Sequence, residues 1–383
     1  MLGGQQDSTW GKQLSAEQLI RDFLDAAEIE VGGPELWDIT VHDDRVWDRI
    51  IRDRELGFGE AYQDGWWDCP RTDLFLERLL QQRPNDTLKP SKAQLLNVVV
   101  SQLTNRQNLS RARNNASAHY DVGNDLYERM LDSQMVYSCG YWQDAHNLES
   151  AQVAKLDLIC RKLRLEPGMR LLDVGCGWGG LARHAAEKYG AEVVGISPAI
   201  EQVRLARERT KGLPVTIKQL DYRSVVGTFD RITSVGMLEH VGPKNYKSFF
   251  ETCNELLAPD GQMLHHTIGS NETKNRSDPW FDKYIFPGGV TPSLGQLNEA
   301  SQRFFTTEEV HNFGPYYDST LMAWWENISA RWSEIPNYDE RFRRTWNHYL
   351  LASAAAFRIR QLQLWQIVYT RHMRVVPTYI TVR

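Results

Sequence analysis

Ten residues limit the fold more than any others: Leu171-Leu172-Asp173-Val174-Gly175-Cys176-Gly177-Trp178-Gly179-Gly180. An apolar run carrying one carboxylate meets a glycine-rich turn, and Leu181-Ala182-Arg183-His184-Ala185-Ala186 then reads as helix. Glycines at 175, 177 and 179 let the backbone take positive φ and approach a ligand closely. The helix that follows aims its unpaired N–H groups at that ligand. A dinucleotide site wants an acidic residue about 20 positions on, ending the next strand. Here that strand, Glu192-Val193-Val194-Gly195-Ile196, runs into Ser197-Pro198. Asp173 suits instead a ligand with an ammonium head, such as S-adenosylmethionine. Glycines alone are weak evidence, since a strand–helix turn that binds nothing carries the same ones.

The flanking pattern adds weight. Strands are expected at 170–174, 192–196, 214–217, 229–235 and 262–268, separated by helical stretches such as 199–210 and 244–257. Asp260-Gly261 supplies a turn before the last strand. Such alternation predicts an α/β fold with a doubly wound, mostly parallel sheet. Ligands on such sheets sit at the carboxyl ends of the strands, which gathers Gly175, Ser197, Asp221, Glu239 and His266 on one rim. Before the sheet, 149–164 reads as an amphipathic helix with Val153, Leu156, Cys160 and Leu163 on its apolar face. After it come a turn-rich loop over 269–279 and helical stretches carrying Trp324, Trp325, Trp332, Trp346, Phe357 and Trp365, whose aromatic stripes read as core.

A chain of 383 residues implies two domains at about 150 residues each. Residues 1–83 form the smaller one, an α+β unit whose first helix opens on a capping box at Ser15-Ala16-Glu17-Gln18. Trp66-Trp67 reads there as a core anchor. Residues 84–118 hold Lys89, Lys92, Arg106, Arg111 and Arg113 with no acid after Asp86. They read equally as a solvated linker helix or as a basic amphipathic segment on an anionic bilayer. Residues 119–383 form the larger domain. A net charge of −5 argues against a broad nucleic-acid surface. Five scattered cysteines, odd in number and without C-x-x-C, read as thiols of a reducing compartment and not as a disulfide or zinc framework. With no signal-like N-terminus and no run near 18 apolar residues, the chain is expected to be cytoplasmic. Thirteen tryptophans suggest an apolar ligand.

From about Leu56 onward the sequence resembles the bacterial cyclopropane fatty acid synthases and their mycolic acid relatives. The matching stretches are Gly57 to Trp67, His119-Tyr120-Asp121, Tyr137-Ser138-Cys139, Leu172 to Gly180, Met237-Leu238-Glu239-His240-Val241-Gly242, His266-Thr267-Ile268, Tyr284 to Gly288, and Tyr317-Asp318-Ser319-Thr320-Leu321. Each is weak alone, and all in one order are specific. The resemblance implies a class I S-adenosylmethionine-dependent methyltransferase fold. It puts the cofactor contacts on Tyr137, Ser138, Asp173, Gly175, Gly177, Ser197, Gln202, Asp221 and Tyr222. It further implies a bound bicarbonate held by Glu239, His266 and Tyr317 and by the backbone N–H groups of Cys139 and Ile268, with His240 orienting the loop from behind. Unsaturated phospholipids would be the substrates, the inner face of the cell membrane the place of work, and a homodimer the assembly. Pro198 stands where relatives often carry an aliphatic residue.

Each residue also has an ordinary reading. Glu239-His240 could be loop polarity, His266 a core histidine, Tyr317 packing, and Cys139 a nucleophile lacking a neighbouring base. Three rival functions follow. One is a methyltransferase that stops at methylation of a lipid chain or small amine, against which the Cys139–Glu239–His266–Tyr317 set argues. A second is nucleic-acid methylation, which wants an Asn/Asp-Pro-Pro-aromatic element where Gly236-Met237-Leu238-Glu239 stands. The third is a lipid-surface protein without catalysis, which would lose the glycine turn or Glu239.

Overall fold

The computed structural model describes residues 15–82, 123–373 and 378–383. The basic segment 84–118 and the His119-Tyr120-Asp121 stretch lie outside the described residues. The chain begins with α1 (Ala16–Ala26), β1 (Thr40–Val41), α2 (Arg45–Gln63), β2 (Trp67–Asp68) and α3 (Thr72–Gln81). Ser15 caps α1 by accepting from Gln18 N–H at 3.1 Å. The Gln18 amide turns to Asp22 instead of closing the box, so half of the expected motif forms. The second helix runs far past the expected 46–51 and kinks at Arg54, whose φ is +56°. Trp67 is buried with Phe58, Tyr62 and Phe75 around it, while Trp66 lies under the Arg45 and Arg49 guanidinium groups.

Beyond the gap come α4 (Asn124–Met130), α5 (Leu148–Lys162), β3 (Arg170–Val174), α6 (Gly180–Tyr189), β4 (Glu192–Ser197), α7 (Ile200–Arg209), β5 (Val215–Gln219), β6 (Phe229–Val235), α8 (Tyr246–Leu256) and β7 (Leu257–Ser270). Then follow α9 (Pro279–Tyr284), α10 (Leu294–Ser301), β8 (Phe305–Asn312), α11 (Pro315–Ser329), α12 (Glu340–Arg358) and β9 (Leu362–Arg371). The sheet order is β5-β4-β3-β6-β7-β9-β8. The first four pairings are parallel and the last two antiparallel. Central parallel strands are covered on both faces, and β3 and β4 are buried along most of their length, while the edge strand β5 is largely exposed.

The order reverses beside β3, between β4 on one flank and β6 on the other, and open sheets of this kind bind ligands at such a switch point. Asp173 pairs in register with Gly195 and Thr233, so the glycine turn leaves the sheet at this crevice. Gly175 takes φ +88°, and a Cβ there would also press on Met237 at 3.0 Å.

Several expectations need correction. Trp365 is not helical: it sits in β9, buried and paired with Thr267 and Asn312. Asp260-Gly261 does not separate a helix from a strand. It lies inside β7, where residues loop out between the Phe229–Leu257 and Arg231–Gln262 pairings. Of the expected apolar face of α5, Leu156, Cys160 and Leu163 are buried but Val153 is 40 % exposed, and the buried side also takes in Ala151, Gln152, Lys155, Leu158, Ile159 and Lys162.

Candidate active site

The crevice at the strand ends is lined by all nine residues expected to meet the cofactor: Tyr137, Ser138, Asp173, Gly175, Gly177, Ser197, Gln202, Asp221 and Tyr222. Ser197 ends β4 and donates to Gln202 Oε1 at 2.9 Å, tying the strand to the first turn of α7. Asp221 receives the Arg223 guanidinium at 2.7 and 2.9 Å, and Arg223 lies over the Tyr222 ring at 5.0 Å. Pro198 also lines the cavity.

Asp173 is 2 % exposed. Burial pushes its carboxyl up to about 7, against the pull of the Lys155 ammonium. Its Oδ2 has no partner among the described residues. A buried, unsatisfied carboxylate oxygen at the wall of a cavity is costly unless a ligand completes it. An ammonium head with a nucleoside beyond it fits these walls: acid at one end, Ser197, Gln202 and Asp221 at the other.

The second group sits deeper. Glu239 lies on a 3-10 turn after β6 (Leu238–His240), 8 % exposed, and burial raises its carboxyl to about 7. Its Oε1 accepts from Ile268 N–H at 2.7 Å, while Oε2 is buried without a partner among the described residues. His266, two residues earlier on β7, is 1 % exposed. Its Nδ1 faces the Gln366 amide at 3.4 Å, Nε2 has no partner among the described residues, and burial pushes its pKa far below the usual imidazole value, so it is neutral. Cys139 and Tyr317 both belong to the buried aromatic cluster against which Ile268 packs. They approach through Thr320, whose hydroxyl lies 3.8 Å from Cys139 Sγ, one helical turn beyond Tyr317. Burial drives the Cys139 thiol well above its usual range, which leaves it no thiolate for nucleophilic work.

Two details differ from the sequence reading. The Ile268 N–H, expected to serve an anion, is already held by Glu239. His240 does not stand behind the loop but lines the cofactor cavity, its ring 5.7 Å from Phe286. Two further residues escaped notice. Tyr349 shares a 2.6 Å hydrogen bond with the Tyr137 hydroxyl and packs on Phe286. Lys155 lines the cavity from α5; a lysine directly beside the buried Leu156 of an amphipathic helix was the signal.

A parallel sheet with this strand reversal, a glycine turn at the switch point and a buried acid in front of it define the S-adenosylmethionine-dependent methyltransferase fold. Within that class, a family model described as mycolic acid cyclopropane synthetase matches residues 107–367, and the chain belongs to this family. It is 48 % identical to the cyclopropane-fatty-acyl-phospholipid synthase of Escherichia coli K12, over 92 % of this chain and 93 % of that one. It is 36 % identical to cyclopropane mycolic acid synthase 1 of Mycobacterium tuberculosis, over 64 % of this chain and 92 % of that one. Among solved structures, the mycolic acid cyclopropane synthase CmaA1 complexed with SAH and CTAB superposes with a TM-score of 0.63 at 33 % identity, covering 67 % of this chain and 97 % of that one.

Proposed function

We infer that the protein transfers a methylene unit from S-adenosylmethionine to the cis double bond of unsaturated acyl chains in phospholipids, forming a cyclopropane ring. The observation that carries the phospholipid assignment is the extent of the likeness. The phospholipid synthase matches nearly end to end, whereas the mycolic acid enzyme matches about two-thirds of this chain.

The cofactor, when bound, supplies an electrophilic methyl group. An isolated alkene is a poor nucleophile, so the chain's own task is to hold it in line and keep water away. Attack leaves positive charge on the acyl chain. Aromatic faces at Tyr137, Phe286 and Tyr317 stabilise it by roughly 0.5–2 kcal/mol each without offering an atom that would trap it. The hydrogen bond to Tyr349 fixes Tyr137 in place.

Ring closure requires a base that does not itself attack the cation. Glu239 Oε2 and His266 Nε2, both buried and without a partner among the described residues, support a small oxyanion such as bicarbonate between them, with Tyr317 and the Cys139 backbone completing the set and Ile268 N–H holding Glu239 in place. Such an anion, when bound, supplies a proton-accepting oxygen. Glu239 accepts the anion's own hydroxyl hydrogen, and neutral His266 presents one N–H. The same reading has the chain work at the inner membrane face on an anionic bilayer, as a homodimer, with residues 1–83 as an N-terminal domain and 84–118 as the basic segment between it and the catalytic domain.

The test is incubation with vesicles of unsaturated phospholipid and isotopically labelled S-adenosylmethionine, then mass analysis of the acyl chains. The expected product has gained one CH2 and lost its alkene. A gain of CH2 with the double bond retained would assign the chain to simple methylation instead.

A further inference from the structure

Lys155 is 1 % exposed on α5. A buried ammonium persists only where hydrogen bonds and opposite charge offset its desolvation. Its Nζ donates to Ser138 Oγ at 2.7 Å. Burial pushes it down to about 8, while Asp132 and Asp173 pull the other way. Three residues earlier on the same helix face, buried Gln152 donates its amide to the carbonyls of Ser138 at 2.7 Å and Val136 at 3.3 Å. One face of α5 therefore grips the 136–138 segment at three points.

The polarity of this arrangement is fixed. An ammonium has three donors and no acceptor, so Ser138 Oγ must accept from it. The serine's own proton is then left to point away from Lys155, and Ser138 lines the cavity. Lys155 and Asp173 reach the same wall with opposite charges, and each offsets the other's burial. A ligand whose end carries one ammonium and one carboxylate matches that pair.

We propose that Lys155 is a positioning residue which, through Ser138, offers a hydrogen-bond donor and a positive field to the carboxylate of the cofactor's amino-acid end, with Asp173 taking its ammonium. This rests on the reading that S-adenosylmethionine occupies the cavity. It makes the wall a recognition site for a zwitterion, so the cofactor's amino-acid end contributes affinity beyond its nucleoside.

The test compares two ligands on the full chain by calorimetry: S-adenosylhomocysteine, and 5′-methylthioadenosine, which keeps the nucleoside and lacks the amino-acid end. Lys155→Met should weaken the first by roughly ten- to a hundredfold and leave the second unchanged. Lys155→Gln, which keeps a donor for Ser138 but no charge, should show a smaller selective loss. Ser138→Ala combined with Lys155→Met should cost little more than the larger single change, because the two act in series. If either Lys155 variant keeps the wild-type ratio of affinities, or loses both ligands together, the proposal is overturned and Lys155 is a structural residue. Wild-type protein that binds 5′-methylthioadenosine but not S-adenosylhomocysteine overturns it as well. Failure of the wild type to bind either ligand sinks the cofactor reading beneath it.

Discussion

Glu239 shows how one side chain can serve chemistry at the expense of the fold. Its carboxyl sits at about 7 in the folded protein, from an ordinary 4.5. The folded state therefore binds the proton more tightly than the unfolded chain does. The stability this gives is complete below about 4.5 and is lost as the pH rises through about 7. Glu239→Gln should accordingly melt higher than wild type at pH 8, with the gap closing in acid. The proposed mechanism makes the opposite demand, since there it is the ionised Glu239 that accepts the anion's hydroxyl hydrogen. Wild-type kcat/KM should fall as the pH drops below about 7; Glu239→Gln should lose roughly 100–1000-fold in rate, lose that limb, and keep its affinity for S-adenosylmethionine. An equal loss of affinity would place Glu239 in the cofactor's service. The residue was visible in the sequence only through its motif. Its burial and its bond to Ile268 were not, because they depend on β6 and β7 ending side by side.

Among the elements, those whose pattern was local were placed to within two residues: β3, β4, β5 and β6 are short strands built on Val, Ile, Leu and Phe and separated by helices or turn residues. The two antiparallel strands were missed for opposite reasons. Phe305-Thr306-Thr307-Glu308-Glu309-Val310-His311-Asn312 is an edge strand too polar to register. Leu362 to Arg371 is buried along almost its whole length and so lacks the alternation that marks a strand. Their packing makes a sharp demand on Gly269, where a Cβ would fall within 2.5 Å of the Trp365 ring. Because that ring is 3 % exposed and fixed between β7 and β8, it has nowhere to move. Gly269→Ala should cost about 1–3 kcal/mol, read as a lower midpoint in urea. An unchanged midpoint would mean that Trp365 can shift.

At the scale of the whole molecule, the sequence suggested an N-terminal unit but not how it is fastened. Much of the fastening is α12, beside α9, whose Lys283 and Tyr284 donate to Glu60 of α2. Arg344 donates to the carbonyls of Tyr62 and Trp67 at 2.5 and 2.8 Å and to Asp68 at 2.7 Å, stacking on Tyr62. Arg358 joins Asp73 and Glu77 of α3 to Asp318 of α11. Ala352 and Ala355 of α12 belong to the apolar cluster of residues 16–80. Contacts this far apart in the chain leave no periodic trace. Arg344→Ala removes a charged donor from the carbonyls of Tyr62 and Trp67, the first of which keeps Gly65 N–H, and from Asp68, and should lower stability by about 1–3 kcal/mol within one cooperative transition. A separate early melting of the N-terminal helices would contradict a shared core.

The position of β9 has a consequence for the order of events during synthesis. It is translated after β8, yet it lies between β7 and β8 and supplies the backbone partners of both. While the ribosome is still making residues 362–371, the edge beyond His266 stays open and β8 has nothing to pair with. The glycine turn and its parallel neighbours can assemble early, but the wall behind His266 closes only after residues 362–371 have emerged. A nascent protein can thus form the crevice at its glycine turn before the backing of His266 is in place.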